Sequence, residues 1–364
     1  MFDSNNKQLT FIIYDGITNS VFESQVLSPL LKLIEESPNI EVTLISFEKK
    51  RPSNQVLTAR IPAHDRLHLV LCRRLPFFGK WSLLFAVYQL KKFLNKFPSN
   101  QIIARGPLAG YVALTALNRL ANKYPERLRA TSEIKFPDVT IQARGLCAQE
   151  HRYTTGSSPT LINSFIINSL KKIEFTVYRN KRTSDYPNHV TIEAVSPALR
   201  EYLVETFRAD PTKIIIATRD LPKTVPVLQI AQWRTEVRQE LGIAQDAIVY
   251  CYSGSFKAWQ CAKETIAAFA FEYTRDNKCF MLVLTQDQKP FIDELARLKI
   301  PLTNYKVMTV CPAGLYRYLA AGDYGMLLRE RDIINWVSRP TKMLEYQAVG
   351  LKIIHNNTIA WLAK

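Results

Sequence analysis

The chain predicts an α/β protein made of two doubly wound domains, each a parallel sheet covered by helices on both faces. Three observations predict it. Short continuous apolar runs recur along the chain and alternate with segments of helical periodicity, the order that a parallel sheet with crossover helices requires. The alternation stops at Asp220-Leu221-Pro222-Lys223-Thr224-Val225-Pro226, whose prolines and polar residues read as an interdomain linker, and then starts again. At 364 residues the chain is long for one core and comfortable for two. The domains therefore run 1–222 and 223–364.

In chain order, residues 9–14 form a buried run that ends at Asp15-Gly16, and a helical pattern follows over 21–36. Strands are expected at 41–47, 67–72, 101–104, 139–143, 190–195 and 213–217. Helices are expected at 81–96, after Arg105-Gly106-Pro107, and around 161–172. The second alternation has a helix near 232–241 and strands at 248–252, 280–285, 305–310 and 324–328, with helices between them. Ligands of doubly wound sheets bind at the carboxyl ends of the strands, so two such domains place the site in a cleft where they face each other.

An apolar fraction of 47% with 22% charged residues is that of a globular chain able to bury both cores. The net charge of +16 is concentrated: residues 60–129 carry 13 basic residues against Asp65 and Glu126, or +11. The six cysteines form no Cys-x-x-Cys pair and lie mostly in apolar runs, as reduced thiols of a cytoplasmic protein do. The polar residues 1–7 lead straight into a strand, so no signal peptide is expected, and no run reaches the roughly 18 apolar residues of a membrane span. None of His64, His68, His151, His189 or His355 stands at ligand spacing from another with a carboxylate to complete a site, so no metal is expected. Nucleotide-cleaving P-loop, Gly-x-Gly-x-x-Gly and Gly-x-Ser-x-Gly motifs are missing as well.

Residues 329–354 speak most directly to function. They read as a polar loop, a helix opened by Ser338 and Pro340 and closed by Gly350, and a short buried strand over 351–354. The first amides of that helix, of Thr341 and Lys342, are then expected to face out of the helix end, an anion site. Lys342 adds a charge there, and Glu345, one turn further in, can accept bonds from sugar hydroxyls. A diphosphate with a ribose behind it fits this pattern; an amphipathic helix with a solvated Lys and Glu fits it too. In the first domain, the segment 73–92 interleaves Arg73, Arg74, Lys80, Lys91 and Lys92 with Phe77, Phe78, Trp81, Phe85 and Tyr88. That mixture suits an anionic leaflet, with each surface cation contributing roughly 1 kcal/mol; a core helix with a charged edge is the competing reading.

These residues resemble glycosyltransferases of the GT-B fold, in the large group 1 that includes enzymes of bacterial surface polysaccharides. The resemblance covers most of the chain and is best over 249–354. It is carried by Tyr252-Ser253-Gly254-Ser255-Phe256-Lys257-Ala258-Trp259-Gln260, by Tyr318-Leu319-Ala320-Ala321-Gly322-Asp323-Tyr324-Gly325, and by Leu328-Arg329-Glu330 leading to Pro340-Thr341-Lys342-Met343-Leu344-Glu345-Tyr346. It implies two Rossmann-like domains and sugar transfer from a nucleotide sugar held by the second domain, its base left open. It implies no metal or further cofactor, retention at the anomeric carbon, and a glycan or lipid-linked acceptor on the first domain.

Carried over residue by residue, the resemblance gives Arg144, Glu150 and Glu330 as catalytic candidates, Arg144-Gly145-Leu146 with Glu150 being the motif that faces the transferred sugar. Together with the helix-end pattern and the replacement cations, the donor contacts expected are Gly254, Ser255, Lys257, Arg329, Ser338, Thr341, Lys342 and Glu345, with Gly16 and Arg105 on the acceptor side. Arg144 could equally cap a helix or form an ion pair, and Glu150-His151-Arg152 could be a solvated turn. The chain also departs from the family. Of the Glu, seven residues, Glu pattern only the second is kept, as Glu345; the first falls at Val337. The family's diphosphate-binding Arg and Lys fall at Ser255 and Gln260, so Lys257 and Lys342 are expected to replace them. The chain ends ten residues after the 351–354 strand, where the family has further helices, so the second domain is expected to be short at its C-terminus. Two other readings stay open: a glycosyltransferase-like scaffold without turnover, and a basic nucleic-acid-binding protein, for which no recognised motif speaks. The expected location is the cytoplasm, with peripheral contact at the inner membrane face.

Overall fold

The computed structural model describes residues 7–19, 22–122, 137–156, 159–179, 190–218, 224–257 and 260–362. The chain divides into two compact units, 1–220 and 221–364. Much of the linker stretch, together with Ala258 and Trp259, lies outside the described residues.

Unit 1 is built on strands β1 (Lys7–Ile13), β2 (Ile40–Glu48), β3 (Leu67–Arg73), β4 (Gln101–Arg105), β5 (Asp138–Ala143), β6 (Val190–Ala194) and β7 (Ile214–Ile216). They form one sheet in the order β3-β2-β1-β4-β5-β6-β7, parallel throughout. Its helices are α1 (Ser28–Glu36), α2 (Asn54–Arg60), α3 (Leu84–Lys96), α4 (Gly106–Ala121), α5 (Cys147–Thr155), α6 (Leu161–Arg179) and α7 (Pro197–Phe207). Continuous apolar strands are buried on both faces because crossover helices cover both. The expected helix over 21–36 is a π turn, Glu23–Leu27, running into α1 at Ser28-Pro29, where the proline gives up a donor that helix starts leave unpaired.

Unit 2 contains β8 (Ile248–Ser253), β9 (Cys279–Leu284), β10 (Tyr305–Met308), β11 (Tyr324–Leu327) and β12 (Lys352–His355), in the parallel order β10-β9-β8-β11-β12. Its helices are α8 (Val227–Leu241), α9 (Ala262–Arg275), α10 (Gln288–Arg297), α11 (Leu315–Leu319), α12 (Ile333–Trp336) and α13 (Thr341–Ala348). Along β8, Val249 and Cys251 enter one core cluster while Tyr250 and Tyr252 enter the other, the period of two expected of a strand buried on both sides.

In each sheet the strand order reverses next to its first strand, between β1 and β4 and between β8 and β11. Ligands of doubly wound sheets bind at the carboxyl ends of such a pair. Among the described residues no helix is long and apolar enough to cross a membrane.

Candidate functional site

The site in unit 2 begins where β8 runs out. Gly254 follows with φ +133°, a conformation that favours glycine, and a Cβ there would lie 2.9 Å from both the Lys342 amine and the Gln260 amide oxygen. The bare turn thus leaves room for a side chain arriving from α13. That helix is held in place by Tyr346, whose ring covers Gly325 of β11; a Cβ on Gly325 would stand 2.3 Å from the ring. The Tyr346 hydroxyl accepts the Ser253 amide at 3.0 Å and reaches the Met326 carbonyl. One tyrosine therefore ties α13 to both strands of the switch point, which sets the positions of Lys342 and Glu345.

Lys342 does not extend into solvent from the helix end, as the amphipathic-helix reading has it. It is 8% exposed; its amine donates to Gln260 Oε1 at 3.1 Å and lies 4.1 Å from the centre of the Tyr252 ring. The Tyr252 hydroxyl donates to the Ser255 carbonyl and the same Gln260 oxygen. Burial pushes Lys342 well below the ordinary lysine range, Arg329 pushes it further, and Glu345 opposes both. Arg329, at the end of β11, is equally buried, and its Nε has no hydrogen-bond partner. Asn356 clamps its backbone, accepting the Arg329 amide at 3.2 Å and donating to the carbonyl at 2.7 Å. Burial lowers its pKa as well. Neither cation forms an ion pair with a described residue. Glu345 accepts from Ser253 Oγ at 3.4 Å, and burial raises its carboxyl while Lys342 lowers it.

The structure thus brings Gly254, Arg329, Lys342 and Glu345 together, with Thr341 as the first residue of α13. Ser338 faces elsewhere. Its hydroxyl donates to the Asn335 carbonyl, closing α12, and α13 starts from Pro340 without a side-chain cap. The stretch read as a polar loop holds that short helix, capped by Asp332 on the Asn335 amide. Ser255 offers the Tyr252 hydroxyl a carbonyl. Lys257 is exposed on the loop beyond, so the cation that acts on Lys342 is Arg329. Glu330 is exposed beside Arg329. Val337 is buried in the core, where no carboxylate could serve.

In unit 1, Gly16 and Arg105 flank the switch point at the ends of β1 and β4. The Gly16 turn, at φ +83°, wraps a buried Glu48 that accepts the Ile17 amide at 2.8 Å and the Ser46 hydroxyl. Arg105 is buried and donates to Gln25. Arg144 lies 3.7 Å from Glu193, which also accepts from Gln142 at 2.7 Å, so its ion pair is internal to the unit. Glu150 is on α5 rather than in a turn. The residue is exposed, yet its carboxyl folds over Gly145, where burial raises its pKa and the Leu146 amide opposes the rise. Below it Glu174, 2% exposed, meets Cys147 and the Ala148 amide; burial pushes it up to about 7. Sequence reasoning missed Gln260 as an acceptor and Asn356 altogether, and it named Tyr252 and Tyr346 only within longer stretches, with no contact assigned to either. Single polar and aromatic residues in apolar runs signal no particular contact.

No protein-family model matches the chain, and no curated protein matches it in sequence. Solved structures do match. Sucrose-phosphate synthase from Thermosynechococcus elongatus is similar at 12% identity with a TM-score of 0.64, over 98% of this chain and 83% of that one. WaaG, a glycosyltransferase involved in lipopolysaccharide biosynthesis, gives 12%, 0.63, 98% and 82%. UDP-GlcNAc 2-epimerase from Methanocaldococcus jannaschii gives 12%, 0.51, 96% and 83%. At this identity backbone is shared and side chains mostly are not, so the likeness speaks to architecture alone. The chain has the α/β fold of the GT-B glycosyltransferases.

Proposed function

We propose that the chain is a glycosyltransferase that moves a sugar from a nucleotide sugar to a glycan or lipid-linked acceptor. The observation that carries this reading is the buried pair Lys342 and Arg329, both with depressed pKa and neither in an ion pair with a described residue, beside the bare Gly254 turn. Burying two like charges is costly, and a diphosphate restores both. The α13 amides of Thr341 and Lys342 add donors, and Glu345 accepts the ribose hydroxyls. When the bond from the sugar's anomeric carbon to the phosphate oxygen breaks, negative charge grows on the leaving diphosphate. Lys342 and Arg329 stabilise that charge in a dry site, so no metal is required. Lys257 reaches the phosphates from its loop, and Glu330 reaches the transferred sugar. Arg144 and Glu150 face the transferred sugar from unit 1, Gly16 and Arg105 serve the acceptor side, and transfer retains the anomeric configuration.

The test is release of nucleoside diphosphate from UDP-, GDP- and ADP-sugars, after a thermal-shift screen that also includes CMP-sugars. Stabilisation by one nucleotide, and turnover that Lys342→Met removes, is the expected result. A sugar interconverted without release would assign an epimerase. Binding without turnover would leave a scaffold, and no binding at all would overturn the donor site. The anomer of the product, read by NMR, decides retention.

A further inference from the structure

We infer that unit 1 docks onto the surface of an anionic phospholipid bilayer through a composite face built by two segments far apart in sequence. One segment is the turn after β3 with the outer side of α3; the other is the first turns of α6. This inference stands apart from the donor site, which belongs to unit 2.

On the first segment, Trp81, Phe85, Tyr88 and Lys92 recur at helical spacing and form one stripe, in which Trp81 is 81% exposed. Phe78 precedes it in a turn that is already fixed. The Ser82 hydroxyl accepts the Phe78 amide at 3.1 Å and donates to the Gly79 carbonyl at 2.8 Å. The backbone that carries Phe78 is therefore ordered before contact, which lowers the ordering cost of docking. The second segment opens with Leu161 and Ile162, which are 91% and 64% exposed, and continues with Phe165 at 55%. Gly79 joins the two. A Cβ on it would lie 3.0 Å from Ser169 Oγ and 3.4 Å from the Phe165 ring, so the turn that carries Phe78 and Lys80 rests against α6. Exposed apolar side chains from both segments thus border a single seam, far more than the scattered single residues of an ordinary surface.

Charge selects the partner. Residues 66–122 hold nine Lys and Arg and no Asp or Glu, and residues 151–173 are likewise free of acid. Arg73 and Lys92 are exposed around the aromatic stripe, and Lys171 and Lys172 are exposed further along α6. A second copy of the chain would set these cations against themselves. A nucleic acid would use the rings but has no use for Leu161 and Ile162, which suit acyl chains. Aromatic and aliphatic side chains with a cationic rim and no acidic residue match an anionic leaflet.

Flotation of the full chain with vesicles of phosphatidylglycerol and phosphatidylethanolamine tests the inference, with phosphatidylcholine vesicles as the neutral arm. The chain is expected to float with the anionic vesicles at low salt, weakly with the neutral ones, and less as salt rises. The double variant Trp81→Ser, Leu161→Ser is expected to lose about tenfold or more in vesicle affinity. Lys80→Glu with Lys92→Glu is expected to lose the preference for anionic lipid. The altered Trp81, Leu161 and Lys92 are exposed, so an unchanged Tm and unchanged nucleoside diphosphate binding are expected to show intact folds. No flotation with anionic vesicles at low salt would overturn the inference. So would vesicle binding that the double variant leaves unaltered, a concentration-dependent dimer that Trp81→Ser abolishes, or displacement of the vesicles by polyuridylate.

Discussion

Lys342 is the residue on which the proposed donor site turns. Its amine is held by one amide oxygen and one ring, in surroundings that disfavour its proton. Lys342→Met keeps the volume and removes the charge. It is expected to raise the Tm, through about 0.5–2 kcal/mol of added stability, while nucleoside diphosphate affinity falls about tenfold to a hundredfold. Calorimetric titration beside a melting curve reads both signs; a Tm that falls would mean the amine supports the fold. The pH dependence has its own sign. Between the depressed pKa of native Lys342 and its ordinary unfolded value, the unfolded chain binds more protons, so this group makes stability rise with pH across that window. A bound diphosphate draws the proton back. Nucleoside diphosphate affinity is therefore expected to fall as pH rises through the native value, and binding in that window takes up a proton. Titrations in buffers of different ionisation enthalpy detect the uptake, and equal heats in all of them would exclude it.

At the scale of elements, α13 is positioned by a contact and not by its own propensity. Gly325→Ala puts a methyl into the Tyr346 ring, which cannot yield without moving the helix. The variant is expected to lose about 1–3 kcal/mol of stability in urea unfolding, together with nucleotide binding, although residue 325 touches no ligand. In unit 1, α5 lies on α6 across Cys147 and Glu174. The Glu174 pKa is raised, so the stability it lends is complete below the ordinary carboxyl value and is lost as pH rises through about 7. Glu174→Gln is expected to flatten that slope in denaturant midpoints measured across pH, and an unchanged slope would place the titration elsewhere.

For the whole molecule, the balance of charge decides how a reaction that creates anions can proceed. Among the described residues no three His, Cys, Asp or Glu side chains gather as a metal site, while two buried cations stand at the switch point of unit 2. If those cations stabilise the leaving group as proposed, transfer is expected to survive EDTA within about a factor of two. A loss restored by added Mg²⁺ or Mn²⁺ would replace that account. The excess charge of unit 1 is what the inferred bilayer docking would draw on, and flotation tests that use.

Strand runs, the proline-bearing linker and the break in the alternation near residue 220 are local features of composition. That is why the sequence alone sufficed for the α/β class, and why each expected strand falls within a few residues of β1 to β12. It also marked Lys342, Glu345, Gly254 and Arg329 through short-range pattern and resemblance. It had no means of showing that Lys342 turns inward onto Tyr252 and Gln260, that Asn356 clamps Arg329, or that Phe165 meets the turn at Gly79. Those pairings join residues tens of positions apart, and long-range packing, not periodicity, selects them. Only the tertiary structure decided that the helix end which opens the 341–348 segment presents a buried pair of cations instead of a solvated lysine, because burial and mutual repulsion exist only once the chain has folded.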